Sequence, residues 1–229
     1  MTTHLLRLYT DTRAAGTTAA PLPPLPRAIY VVSGSAIVRA AGQAASLEVN
    51  SAWCGSSAPA VTAGNSGVRL LRWELLRTDA LHQHAMHEQV MVAQQGDEAM
   101  PPPTLAQEIT LDPASEYLMR CDRVGFPAGG AALTHVHQGP GIRALLSGSI
   151  RIDSEGASHS YAPGEAWFEA GPQPVYAAAS RESTTAFVRV MILPRACHGK
   201  SSIRYVRPAD ADQPKSQTYQ IFADEFITP

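Results

Sequence analysis

The sequence predicts an all-β chain made of two small barrels in tandem, and three observations predict it. First, the chain repeats itself. A constant offset of 114 superimposes Ser33-Gly34-Ser35 on Ser147-Gly148-Ser149, Gly42 on Gly156, Ser46 on Ser160, and Ala52-Trp53 on Ala166-Trp167. These are seven identities in a window of 21 positions, where chance at ordinary residue frequencies gives about one or two. Second, strand-length runs recur every ten residues or so with turn residues between them, the pattern of an antiparallel sandwich or barrel. Third, the 229 residues hold 17 Gly and 18 Pro yet are 45% hydrophobic. That is enough apolar material for a core, divided by too many breakers for long helices.

The elements follow in chain order. The stretch AAPLPPLP (19–26) is extended and cannot supply interior ladder hydrogen bonds, so it suits an edge or a connecting arm. AIYVVSGSAIV (28–38) and IRALLSGSIRI (142–152) are matching strand runs, each broken by Ser-Gly-Ser, a tight-turn or bulge signal. Gly42 and Gly156 mark the next reversal, and Val61 and Ala63 match Val175 and Ala177 at the same offset. RLLRWELL (69–76) and FVRVMILP (187–194) then align through Arg72 and Arg189, with three extra residues in the second loop. Between the copies, 79–99 reads as a short helix, MPPPT (100–104) as a break, and 116–130 as strand plus turn. The expected division is therefore 1–78 for the first barrel, 79–115 for a linker, and 116–229 for the second barrel with its tail. The last twenty or so residues show no counterpart in the first copy and are expected to pack across it.

Composition narrows the function classes. Eighteen basic against 20 acidic residues give a net charge of −2, which removes electrostatic nucleic-acid binding as a default. No apolar run approaches the roughly 18 residues that span a bilayer. The opening MTTHLLRLYTDTR has no basic leader followed by an apolar stretch, and Cys54, Cys121 and Cys197 form no CxxC pair. Reduced thiols in a cytoplasmic protein are the expectation, without membrane or nucleic-acid partners. No GxSxG, P-loop or dinucleotide fingerprint appears.

His135 and His137 carry the first chemical signal. At i, i+2 on a strand both imidazoles face one side, which makes either half of a metal site or a hydrogen-bonded histidine pair. His82, His84 and His87 form a second cluster, read as an exposed linker helix because i and i+5 do not share a helical face.

HVHQGPGIRALLSGSI (135–150) followed by YAPGEAWFEAGPQPVYA (161–177) resembles the two motifs of the cupin superfamily, and the resemblance covers roughly 25–77 and 117–194. It implies a bicupin: two double-stranded β-helix, or jelly-roll, barrels of the RmlC-like type. It also implies that His135 and His137 take the first two metal-ligand roles. The expected Glu falls at Gly141 and the expected second-motif His near Pro174, neither of which binds a metal. In the first copy the two histidine positions fall on Pro21 and Pro23, so that copy reads as structural. Glu165 and Glu169 are the nearest carboxylates that could complete the second site, and both could equally face solvent.

If Gly141 holds the inward Glu position, Arg143 faces inward too, and a buried guanidinium needs an anionic partner. That partner is either a glutamate of the protein or a carboxylate or phosphate of a ligand. Gln138 and Tyr176 are expected to add hydrogen bonds to such a ligand. Trp167 and Arg189 match Trp53 and Arg72 in a copy without a site, so both read as structural.

The resemblance permits dioxygenase, isomerase or lyase chemistry on a small anionic substrate, with one divalent transition metal (Fe, Zn, Ni or Mn) or none. The alternative is a non-catalytic binding or sensing protein that has lost its ligands. Edge strands need covering, so a homodimer is expected.

Overall fold

The computed structural model describes residues 1–80 and 101–228. His82, His84 and His87, and most of the helix expected over 79–99, lie outside the described residues. The chain divides into two compact units, residues 1–115 with 227–229, and 116–226.

The N-terminal unit is one antiparallel sheet. Its strands are β1 (Thr2–Arg13), β2 (Arg27–Ala40), β3 (Gln43–Leu47), β4 (Ala52–Gly55), β5 (Ala60–Arg77) and β6 (Leu105–Leu111). They run in the order β3-β2-β5-β1-β6, with β4 also on β2. The long strands β2 and β5 change register between Val31 and Ser33 and again between Gly34 and Ala36. These bulges fold the sheet over on itself. Ile29 and Val31 from one half of β2 thereby share a core with Ala36 and Val38 from the other, together with Val61, Ala63, Val68 and Leu70 of β5. The proline-rich arm runs along the start of β5, with Ala19 N–H donating to the Val61 carbonyl and Leu22 N–H to that of Pro59. Residues 105–111, read from the sequence as part of a linker, are instead strand β6, paired along β1.

The C-terminal unit splits the same plan into two facing sheets. Its strands are β7 (Tyr117–Phe126), β8 (Ala131–His137), β9 (Gly141–Ser147), β10 (Ile150–Ser154), β11 (Ala157–Tyr161), β12 (Ala166–Glu169), β13 (Val175–Ala179), β14 (Thr185–Pro194), β15 (Ile203–Tyr205) and β16 (Thr218–Ile227). One sheet runs β12-β9-β14-β7-β16 and the other β11-β10-β13-β8-β15. Side chains alternate between faces along each strand, and the inward sets of both sheets meet in a single core. Leu145, Trp167 and Phe187 come from the first sheet, and Ile150, Val175 and Ala177 from the second. β14 is buried along nine of its ten residues, as a central strand covered on both faces must be. The tail that showed no counterpart in the sequence is β16, the strand beside β7, just as β6 lies beside β1.

The fold is therefore all-β and antiparallel, and built twice. The Ser-Gly-Ser break is a bulge inside β2 in the first copy and a full turn between β9 and β10 in the second.

Candidate functional site

The site lies inside the C-terminal unit, at a small cavity of about 20 Å³ lined by His135, His137, Arg143, Glu169, Arg189 and Tyr219 among apolar neighbours. That is room for roughly one water molecule.

β8 supplies the histidines. Its alternation turns His135 and His137 inward, and both are buried. Their rings meet edge to face at 4.8 Å between centroids. The Leu133 carbonyl lies 2.7 Å from Nδ1 of His135 and accepts its proton, leaving Nε2 as the basic atom of that ring. Nε2 of His137 lies 3.2 Å from that atom and 3.1 Å from Oε2 of Glu169. Burial lowers the pKa of both rings. His135 is only partly compensated by the Leu133 carbonyl, while His137 falls to about 3 despite the Glu169 carboxylate. Both imidazoles are neutral at physiological pH.

β9 and β12 supply the ion pair. Their register sets Glu169 directly opposite Gly141, so the carboxylate missing at 141 arrives from across the ladder. Nη2 of Arg143 lies 2.7 Å from Oε2 of Glu169, and Nη1 donates to the Gly141 carbonyl at 2.6 Å. A Cβ at 141 would stand 2.5 Å from the Val190 carbonyl oxygen, 2.7 Å from Cγ of Met191 and 3.1 Å from Nη1 of Arg143, so glycine is required first by the close approach of β14 and then by the guanidinium. Trp167 Nε1–H donates to the other Glu169 oxygen at 2.8 Å. Burial works to raise the Glu169 carboxyl, but Arg143, His137 and Trp167 override it and hold it far below the usual range. Burial lowers the Arg143 guanidinium to about 10 against the pull of Glu169, which still leaves it charged.

β14 and β7 add a second pair, Arg189 to Asp122, with both guanidinium nitrogens bonded at 2.6 and 2.9 Å. Arg189 is thus structurally partnered, as its match to Arg72 implies, while also lining the cavity.

The structure brings together His135, His137 and Arg143, and it does not bring Gln138 or Tyr176 to them. Gln138 accepts from Arg204 Nη2 at 2.7 Å and donates to the Ser201 carbonyl, so its amide is spent on the chain that follows β14. Tyr176 sits between Val175 and Ala177, which point into the core, so the alternation sends it to the outer face of its sheet. Both expectations for these residues are corrected. Glu165 is exposed and accepts from Ala162 N–H, leaving Glu169 as the carboxylate that turns inward. The sequence held a signal for this: Trp167 matches Trp53 and reads as core, and Glu169 is two residues further along the same strand. Asp122 and Tyr219 carried no comparable signal.

The residues present do not fit a metal as they stand. Two imidazole nitrogens and one carboxylate oxygen lie close together. The carboxylate, however, is already claimed by a buried guanidinium, and among the described residues no group of three or more His, Cys, Asp or Glu is arranged to hold a metal ion. The expected ligand set stops at two histidines.

No family model matches the chain, and no curated protein does. Solved structures do match, over nearly all of it. Oxalate decarboxylase of Bacillus subtilis superimposes with a TM-score of 0.60 at 12% identity, covering 91% of this chain and 73% of the other. Salicylate 1,2-dioxygenase of Pseudaminobacter salicylatoxidans gives 0.56 at 10% identity, covering 87% and 74%. AerE of Microcystis aeruginosa gives 0.56 at 11% identity, covering 83% and 88%. All three are cupin-fold proteins, and this chain shares that fold.

Proposed function

We propose that this cupin-fold chain works through its C-terminal unit, taking a small carboxylate-bearing molecule there and acting on it by proton transfer, as an isomerase or lyase, without a metal. One observation carries the reading: His135 is a neutral, buried imidazole whose basic Nε2 is aimed by the Leu133 carbonyl into a cavity that also holds guanidinium groups. A general base needs that protonation state and fixed direction. Arg143 and Arg189 supply the planar cations that recognise a carboxylate. The names of two similar structures, oxalate decarboxylase and salicylate dioxygenase, point to small carboxylates as substrates of those proteins. Shared fold transfers that class to this chain only as support. Tyr219, 42% exposed while lining the cavity, marks its mouth and would move aside to admit a substrate. A cytoplasmic homodimer with Cys54, Cys121 and Cys197 as free thiols completes the proposal.

The test is a thermal-shift and NMR titration of the full chain in D2O against a panel of small hydroxy-, keto- and dicarboxylic acids. The expected result is a binder whose C–H beside the carboxylate exchanges for deuterium, with exchange lost and binding kept in His135→Ala. A panel in which nothing binds overturns the reading.

A second reading, a non-catalytic binding or sensing protein, is favoured by the pairing of Arg143 with Glu169 and of Arg189 with Asp122, which leaves the cavity without net charge. Binding without exchange would select it.

A further inference from the structure

Three donor atoms converge in the C-terminal cavity: Nε2 of His135, Nε2 of His137 and Oε2 of Glu169, with neighbouring separations of 3.2 and 3.1 Å. Two imidazoles and one carboxylate are a donor set that divalent transition metals accept. What stands beside them is a guanidinium. Arg143 is 1% exposed, its Nη2 lies 2.7 Å from Oε2 of Glu169, and its Nη1 is anchored on the Gly141 carbonyl.

We infer that Arg143 is the resident cation of this site, its guanidinium supplying the positive charge beside His137 and Glu169 and thereby keeping a divalent ion out. A fixed cation this close to the shared oxygen repels a second, doubly charged one in a medium that screens poorly. It also neutralises, at 2.7 Å, the one carboxylate an ion would need.

The N-terminal unit shows the same substitution made with different residues. At the offset of 114, Arg27 stands where the second copy has Gly141, and Pro23 where it has His137. The Arg27 guanidinium bonds Glu74 at 2.7 Å and donates to the Pro23 carbonyl at 3.0 Å. Each copy therefore sets a buried arginine against a buried glutamate, although from positions that do not match, since Arg143 corresponds to Ile29 at this offset. The glutamate comes from β5 in the first unit and from β12 in the second. In the first unit the nitrogen donors are gone as well. In the second they remain, so a metal site persists there in latent form, blocked by one side chain.

The inference shares with the proposed function only its metal independence, and the test separates the two. Co²⁺ is titrated into the full chain and into Arg143→Gln and Arg143→Met, followed by visible absorption and by the shift in melting temperature. The wild type is expected to show no absorption band from the cluster. Both variants are expected to bind Co²⁺ about 100-fold more tightly, the scale on which a nearby charge shifts such an equilibrium. They are also expected to recover with metal the thermal stability that an unpaired Glu169 costs them. The gain should vanish in Arg143→Gln combined with His137→Ala, which places the ion at this cluster and nowhere else. Stoichiometric Co²⁺ at the cluster of the wild type, lost in His137→Ala, overturns the inference and the metal-independent function together, and requires no variant of Arg143 to fold. Variants that fold yet gain no affinity overturn the inference alone.

Discussion

In the N-terminal unit Glu74 meets three arginines; in the C-terminal unit Glu169 meets one. Arg7, Arg27 and Arg72 approach Glu74 within 3.0 Å, and Arg72 also holds Asp11 at 2.7 Å while lying over the Tyr9 ring. Burial would raise the Glu74 carboxyl, but the arginines hold it down at about 2. In the second unit the place of two of those cations is taken by neutral imidazole and indole nitrogen. In the first unit five charged side chains, Arg7, Asp11, Arg27, Arg72 and Glu74, form one cluster. In the second unit two uncharged rings and two separate ion pairs, Arg143 with Glu169 and Arg189 with Asp122, stand around the cavity. The fold is common to both units, and what differs is how the charges are gathered, around one shared carboxylate in the first and in separate pairs in the second.

The largest test of that difference removes the glutamates. Taking one partner from a buried ion pair costs about 3–5 kcal/mol, because the remaining charge has no water. Glu74→Gln, which removes the carboxylate shared by Arg7, Arg27 and Arg72, is expected near the upper end of that range, and Glu169→Gln near the lower. Urea denaturation monitored by tryptophan fluorescence reads both, and a reversal of the order would break the comparison.

Acid should also tell the units apart. His137 has its folded pKa lowered to about 3 from 6.5, so the unfolded chain binds more protons between those values, and stability falls as pH falls through that window. The slope is about 1.4 kcal/mol per pH unit, or about 2 kcal/mol by pH 5. Glu74, lowered from 4.5 to about 2, contributes stability that is complete above 4.5 and is lost only as pH falls toward 2. Between pH 6.5 and 4.5 the loss thus belongs to histidine. His135 beside it and His4 in the first unit shift the same way, so the measurement is the difference between wild type and His137→Asn across pH 7 to 5. An unchanged slope in the variant would remove His137 from the account.

A smaller effect is expected to be equal in both units. Gly34 and Gly148, matched by the repeat, hold φ of +75° and +74°. A Cβ at Gly34 would collide with the Gly67 carbonyl oxygen, and one at Gly148 with the Thr185 hydroxyl and, at 2.6 Å, the Thr184 carbonyl oxygen. Alanine at either position should cost about 1–3 kcal/mol, from left-handed backbone and crowding together. Two similar losses would show that the bulge in β2 and the turn between β9 and β10 perform one task; a large inequality would separate them.

Much of this was legible in the sequence because it is periodic or local. The offset of 114 delivered the duplication, its two halves, and the core role of Trp167, while Trp53 packs half-buried against the first core. The i, i+2 spacing delivered the inward histidine pair, and the missing ligand at 141 pointed to an inward Arg143. The partner of Arg143 was not legible, since Glu169 meets Gly141, 28 residues away in the chain (169 − 141), through the register of β9 and β12, and register is set by tertiary packing. The same limit hid β6, which pairs with β1 across nearly a hundred residues. Tyr176 and Gln138 were misplaced for a related reason. Proximity in sequence to a motif does not decide which face a strand residue takes, and a shift of one position reverses it.

Tyr176 gives the smallest prediction and a pointed one. It lies between inward Val175 and Ala177, and it lines hollows on the outer side of its sheet with Arg151 rather than the cavity with Arg143. Tyr176→Phe removes a hydroxyl from a partly exposed outer face, a change expected to stay within about 0.5 kcal/mol. Carboxylate binding and deuterium exchange should be unaltered in the variant, while Tyr219→Phe, at the mouth of the cavity, should weaken them. Loss of binding in Tyr176→Phe alone would put the ligand on the outside of the sheet. The two units would then differ in their outer faces, and the neutral imidazoles inside the second would be packing.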